Sequence, residues 1–169
     1  MNPSASEEVR EPPGNHKHAA ADDHAAATQF ERIGGAAAVD CLVEAFYGYM
    51  DSLPGARVIR RLHADDLSPT KEVLKRYLGE WMGGPPLYSQ ERGHPRLRMR
   101  HLRFRIGEAE RDAWLMCMRA ALDEVVGASP LRDELDVGFA KLADWMRNQP
   151  GNPHDRQAAT GFSVELDRT

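Results

Sequence analysis

The chain is expected to fold as a single all-α domain, on three observations. Apolar residues recur at spacings of three and four through the middle of the chain, helix start and stop signals sit where those stripes begin and end, and no stretch alternates as a half-buried strand does. At 169 residues and 41% hydrophobic content, one domain of ordinary size can build a core and still enclose a ligand.

Val39, Leu42, Val43, Phe46, Tyr47 and Met50 form the face of a first helix, entered through the Gly34-Gly35 turn and closed by Pro54-Gly55. A short helical turn from about Pro54 to Leu62 leads onward. Ser68 and Pro69 read as N-cap and first-turn proline of a second helix. Its stripe of Val73, Leu74, Tyr77, Leu78 and Trp81 stops at Gly83-Gly84-Pro85-Pro86. A third opens on Glu108 and Glu110, which suit the positive end of a helix dipole. It carries Trp114, Leu115, Met118, Leu122, Val125 and Val126 as far as Gly127. The fourth begins at Pro130 and continues the period through Leu131, Leu135, Phe139, Leu142, Trp145 and Met146.

Composition divides the chain into a 1–27 extension, a 28–147 domain and a 148–169 tail. The extension is rich in Pro, Ala, Glu, Asp and His without apolar periodicity, and is expected to be disordered. Its His16, His18 and His24 have neither cysteines nor fixed spacing around them, so a solvated tail is the plain reading and loose zinc or nickel binding the sharper one. The C-terminal tail is polar and expected to be flexible, although Phe162, Val164 and Leu166 alternate and could cover a crevice. A net charge of −4 and a pI near 6.0 argue against a general nucleic-acid binder. No run of about 18 apolar residues and no signal-peptide pattern appears, so the expectation is a cytoplasmic protein without membrane association. Cys41 and Cys117 each lie in an apolar helical pattern and read as two buried free thiols.

One stretch does not suit a plain bundle. The connection from Gly83 to Gly107 runs about 25 residues, beyond the usual helix-to-helix link, and loops of that length are usually functional or disordered. Eight cationic or imidazole side chains fall in it: Arg92, His94, Arg96, Arg98, Arg100, His101, Arg103 and Arg105. Tyr47, His63 and Trp114 put polar tips on faces expected to be buried, where each needs a partner. Each has an ordinary explanation alone. Together they suggest a pocket beside an arginine-rich loop, with a solvated loop face and a nucleic-acid patch as the other readings of the charge.

The strings FERIGGAAAV, AFYGYM and EWMGGPPLYSQERGHPRLRMRHLRFRIGEAERDAWLMCM, with the Trp145 helix, resemble the truncated haemoglobins of the second group, small bacterial haem globins, over about residues 28 to 147. The resemblance implies a two-over-two helical sandwich, haem b with its iron as cofactor, and His101, which closes the RLRMRH run, as proximal ligand. His94 in the preceding GHP is not assigned. Arg98, Arg100 and Arg103, with Tyr88, are implied partners of the two propionates. Tyr47 is implied as the distal phenol, Trp114 as an indole donor and His63 as a further polar residue near the iron. Phe46, Leu74 and Tyr77 complete the wall, Phe104 joins the cofactor contacts, and Thr70 makes the gate position small. Two departures stand out: the segment around His63 is a residue shorter than in some relatives, and Val73 stands where an arginine might otherwise reach a propionate.

The chemistry agrees, since a neutral imidazole ligates haem iron well and a single axial histidine leaves the sixth position open; Met99 and Met116 are weaker candidates. The expected function is reversible binding of O2, and of CO and NO, with Tyr47 and Trp114 stabilising the bound ligand. Such retention suits oxygen chemistry or sensing better than oxygen transport. NO dioxygenase or peroxidase-like activity, served by a reductase, is a second expectation, and no residue is assigned as catalytic. Both monomer and homodimer stay open. The alternative is a non-haem helical module that uses the arginine loop to bind an anion or nucleic acid; it explains the arginines but neither buried Tyr47 and Trp114 nor the overall acidity.

Overall fold

A computed structural model describes residues 26–150, all of whose regular elements are helical. Thr28 starts α1 (Gln29–Ile33) with a capping box: its Oγ1 accepts from the Glu31 N–H at 3.2 Å, and Glu31 Oε2 accepts from the Thr28 N–H at 2.9 Å. Gly34 ends it at φ 112°, a left-handed conformation that favours glycine, and the chain turns directly into α2 (Gly35–Ser52). Periodicity gave no sign of α1, because five residues are too few to show a stripe.

The buried face of α2 is Val39, Leu42, Val43, Phe46, Tyr47 and Met50, as expected. Cys41 is a correction: it is exposed, on the side of the helix shared with Asp40, Glu44 and Gly48. An apolar residue inside a helical segment is buried only when its angle about the axis matches the stripe. Cys117 is buried, and desolvation pushes its thiol up to about 11.

A 3₁₀ turn (Pro54–Ala56) and α3 (Arg57–Arg60) lead to α4 (Ser68–Trp81). Ser68 is the first helical residue rather than its cap; Asp66 Oδ1 accepts the Ser68 N–H at 3.0 Å instead. The expected long loop is also corrected, for it contains α5 (Leu87–Arg92) and α6 (Leu97–His101). Prolines and glycines bound these helices so tightly that neither holds two turns of pattern. In α7 (Glu108–Val125), Glu110 Oε2 accepts the Gly107 N–H at 2.8 Å. Ser129 Oγ caps α8 (Pro130–Trp145) by accepting the Arg132 N–H at 3.2 Å.

The pairs α2–α4 and α7–α8 meet through the long α2–α7 contact, which makes the two-over-two sandwich. Its centre is Leu42, Val43, Phe46, Leu78, Met118, Leu122, Leu135 and Phe139, each 0 or 1% exposed. Burial of such a side chain contributes about 1.5–3 kcal/mol relative to exposure. Trp81 stacks on Phe139 with centroids 4.9 Å apart. The Gly84 N–H donates to Gly79 O at 2.9 Å, and a Cβ at Gly84 would lie 2.7 Å from both that oxygen and Phe30 Cγ, so the turn out of α4 has no room for a side chain there.

Hydrogen bonding to the domain continues past Arg147. Asn148 and Gln149 are hydrogen-bonded to the segment after α6, and that segment has no regular structure to satisfy its own backbone. His16, His18, His24, Phe162, Val164 and Leu166 lie outside the described residues. Among the described residues no helix is long and apolar enough to cross a membrane.

Candidate functional site

The helices leave a cavity of about 460 Å³ between α3–α4, α6 and the first turns of α7, a volume in the range of cofactor and ligand sites. Its walls are mostly apolar: Ile59, Leu62, Val73, Leu74, Tyr77, Leu97, Phe104, Ile106, Leu142 and Met146. His63, Thr70, Arg100, His101, Arg103, Glu110, Arg111 and Trp114 bring the polar groups.

His101 ends α6, and its Nδ1 lies 2.7 Å from Leu97 O, one turn back on the same helix. A carbonyl oxygen can only accept, so Nδ1 carries the hydrogen, and Nε2 of the neutral ring keeps its lone pair for another partner. Metal-binding histidines are oriented in this way. His63 repeats the device, with Nδ1 2.9 Å from Ile59 O. Burial lowers the His63 pKa, and the nearby charges of Arg60 and His101 lower it further against the Ile59 bond. Its ring is therefore a neutral one whose Nε2 accepts rather than donates.

Tyr47 is 2% exposed and lies behind this lining, its ring edge-on to Phe46 at 4.9 Å and to His63 at 5.8 Å. Desolvation pushes the phenol pKa upward, so the hydroxyl stays protonated. Phe46 also sits behind the wall, 5.3 Å from the Trp114 ring. Among the described residues neither the Tyr47 hydroxyl nor the Trp114 indole N–H makes a hydrogen bond to another residue, and neither is a fully buried orphan.

The structure brings His63, Leu74, Tyr77, Arg100, His101, Phe104 and Trp114 to one cavity. Burial pushes the Tyr77 phenol up to about 12, with Tyr88 and Glu80 adding to it. Tyr88 itself is not in the lining; it is buried behind Tyr77, edge-on at 5.6 Å. Arg98 turns to α8, where its Nη1 donates to Trp145 O at 2.8 Å and its guanidinium lies 5.4 Å from the Trp145 ring. Arg100 and Arg103 do line the cavity. Arg100 Nε donates to Pro95 O at 3.0 Å and Arg103 lies 4.8 Å over the Phe104 ring, and neither has a carboxylate partner among the described residues. Arg111 is a lining residue that sequence reasoning missed. It stands three residues before Trp114, one turn away on the same helix face, and that spacing was the available signal. Asp112 and Asp144 hold it at 2.8 and 2.9 Å.

Among the described residues no three His, Cys, Asp or Glu gather as a metal cluster would require. The oriented imidazoles of His63 and His101 in an apolar cavity, with two arginines lacking carboxylates, instead suit a metal carried by its own apolar, anionic macrocycle. The bacterial-like globin family model matches residues 28–148. The chain belongs to the group II truncated haemoglobins.

Relatives place this globin consistently. The group 2 truncated haemoglobin YjbI of Bacillus subtilis is 40% identical over 108 residues, 64% of this chain and 80% of that protein. The group II two-on-two haemoglobin of Agrobacterium tumefaciens has a similar structure, with TM-score 0.72 and 42% identity over 75% of this chain and 98% of its own. The haemoglobin of Chloroflexus aurantiacus matches at TM-score 0.68 and 43% identity, over 73% and 100% of the two chains. Membership of the globins implies haem as cofactor and diatomic ligands, and the cavity brings His101, Trp114 and two arginines to a mostly apolar wall.

Proposed function

We propose that the cavity takes haem b, whose iron His101 Nε2 would hold, and that this globin binds O2, CO and NO reversibly there. When bound, haem would supply an iron able to take a diatomic molecule. The observation that carries the reading is the His101 Nδ1 bond to Leu97 O, which leaves a ligating nitrogen at the wall of an apolar cavity.

The chain's own groups then divide the work. Arg100 and Arg103 pair with the propionates; Leu74, Tyr77 and Phe104 exclude water from the ring faces. Trp114, in the lining, and Tyr47, reaching from behind it beside His63, are the two donors for the partial negative charge on a diatomic ligand. His63, a neutral acceptor, is not a third donor. Donors so placed retain O2 and favour its chemistry, so NO dioxygenation or peroxide reduction follows as a second activity, with a reductase returning the electrons.

The test is the absorption spectrum of the haem-loaded protein and of His101→Gly as ferric, dithionite-reduced and CO-bound forms. An intense Soret band that moves with CO in the parent, and altered or lost haem binding in the variant, is expected. A parent that takes up no stoichiometric haem overturns the reading.

A further inference from the structure

His101 is only as well placed as α6, and α6 is a five-residue helix with no buried residue. Apolar packing therefore does little to hold it. The residues that follow, Leu102 to Ile106, are irregular, and their backbone groups need partners from elsewhere.

Asn148, just past α8, provides them. Its Nδ2 donates to His101 O at 3.1 Å and to Phe104 O at 2.8 Å. Its Oδ1 accepts the Ile106 N–H at 3.0 Å, and its backbone N–H donates to Ile106 O at 2.9 Å. One side chain thus satisfies three backbone groups, the first of them on His101 itself. Only a carboxamide has both donors and an acceptor at one tip: aspartate at neutral pH has no donor and leucine has neither. Gln149 Nε2 supports the same Oδ1 at 3.1 Å. At the other end of α6, Arg98 bonds to Trp145 O, so the helix is tied at one end to the last residue of α8 and at the other to Asn148 just beyond it.

We propose that Asn148 is the positioning residue for His101. It sets the depth and tilt of α6 against the cavity, and through the Leu97–His101 bond it sets the direction of Nε2. The inference rests on the haem reading, and its test separates the two. The haem-loaded parent, Asn148→Asp and Asn148→Ala are compared by the iron–histidine stretching band of the ferrous form and by the rate of haem loss to excess apomyoglobin. Gly84→Ala, which crowds Gly79 O and Phe30 at the turn after α4 and touches none of these groups, serves as a control for lowered stability alone.

The aspartate variant keeps size and acceptor but loses both donors, so a displaced or broadened band is expected. Haem loss should be about tenfold faster, as the loss of two neutral hydrogen bonds implies. Gly84→Ala should keep the parent band. Parent band position and haem loss in both Asn148 variants, or the same band change in Gly84→Ala, overturns the proposal. A parent without a Soret band defeats the haem reading itself, and the positioning role with it.

Discussion

His63 and His101 line the same cavity with the same internal hydrogen bond: each Nδ1 is held by the carbonyl four residues earlier, at 2.9 Å from Ile59 O and 2.7 Å from Leu97 O. Both rings therefore offer an Nε2 lone pair. They differ in what surrounds them, since Tyr47 stands against His63 at 5.8 Å and Phe104 against His101 at 6.3 Å.

A lone pair at His101 Nε2 makes removal of that ring decisive. His101→Gly should lose stoichiometric haem or bind it with a changed spectrum, and imidazole at millimolar concentration should restore a parent-like Soret band by filling the gap. Unchanged spectra without imidazole contradict the ligand assignment.

The donors Tyr47 and Trp114 should each slow ligand escape. A hydrogen bond to a charged group is worth about 1.5 kcal/mol or more, so Trp114→Phe and Tyr47→Phe should each raise the O2 off-rate about tenfold in stopped-flow measurements. His63→Phe should change that rate much less, because neutral His63 has no N–H to offer the ligand. Equal effects in all three would show that His63 donates after all.

Arg100 and Arg103 should act on haem retention through their charge, where Arg98 acts through its hold on α6. Arg100→Gln and Arg103→Gln should each speed haem loss about tenfold, the effect of losing one charge-assisted bond, and the difference from parent should shrink at high salt. Arg98→Gln, whose parent guanidinium faces Trp145, should lose haem without that salt dependence.

Acid should weaken the fold through His63. Its pKa in the folded protein is below the ordinary 6.5, so between those two values the unfolded chain binds more protons and stability rises with pH. The contribution is complete above 6.5, declines as pH falls through 6.5, and levels off below the lowered folded value. Melting temperatures from pH 7.5 to 5 should fall less steeply for His63→Phe than for the parent; parallel curves would remove His63 from the acid response.

Gly84→Ala tests the turn after α4. The added Cβ meets a backbone oxygen that cannot move aside, so a loss of about 1–3 kcal/mol is expected, seen as a lower midpoint in urea. A midpoint equal to the parent's would mean that the turn has room to open.

The long helices were legible because each spans several turns of apolar pattern: the stripe from Val39 to Met50 in α2 is buried throughout, and Ser129-Pro130 and Gly127 stand at real ends. The short ones, α1, α5 and α6, were not, since their existence depends on caps and on bonds to distant residues. His101, Trp114 and His63 were singled out by residue type and resemblance, and they do share a cavity. Arg111 escaped notice, and Cys41 was placed on the wrong side of its helix.

The sequence alone determined the all-α class, the main helices and the globin resemblance that singles out His101, because these depend on local pattern and on residue type. Tertiary structure decided which arginines face the cavity, that His63 accepts rather than donates, and that Asn148 reaches back across more than 40 residues to hold the His101 carbonyl. Those outcomes depend on the direction of single hydrogen bonds between segments far apart in the chain, and no periodicity in one segment encodes the position of a carbonyl in another.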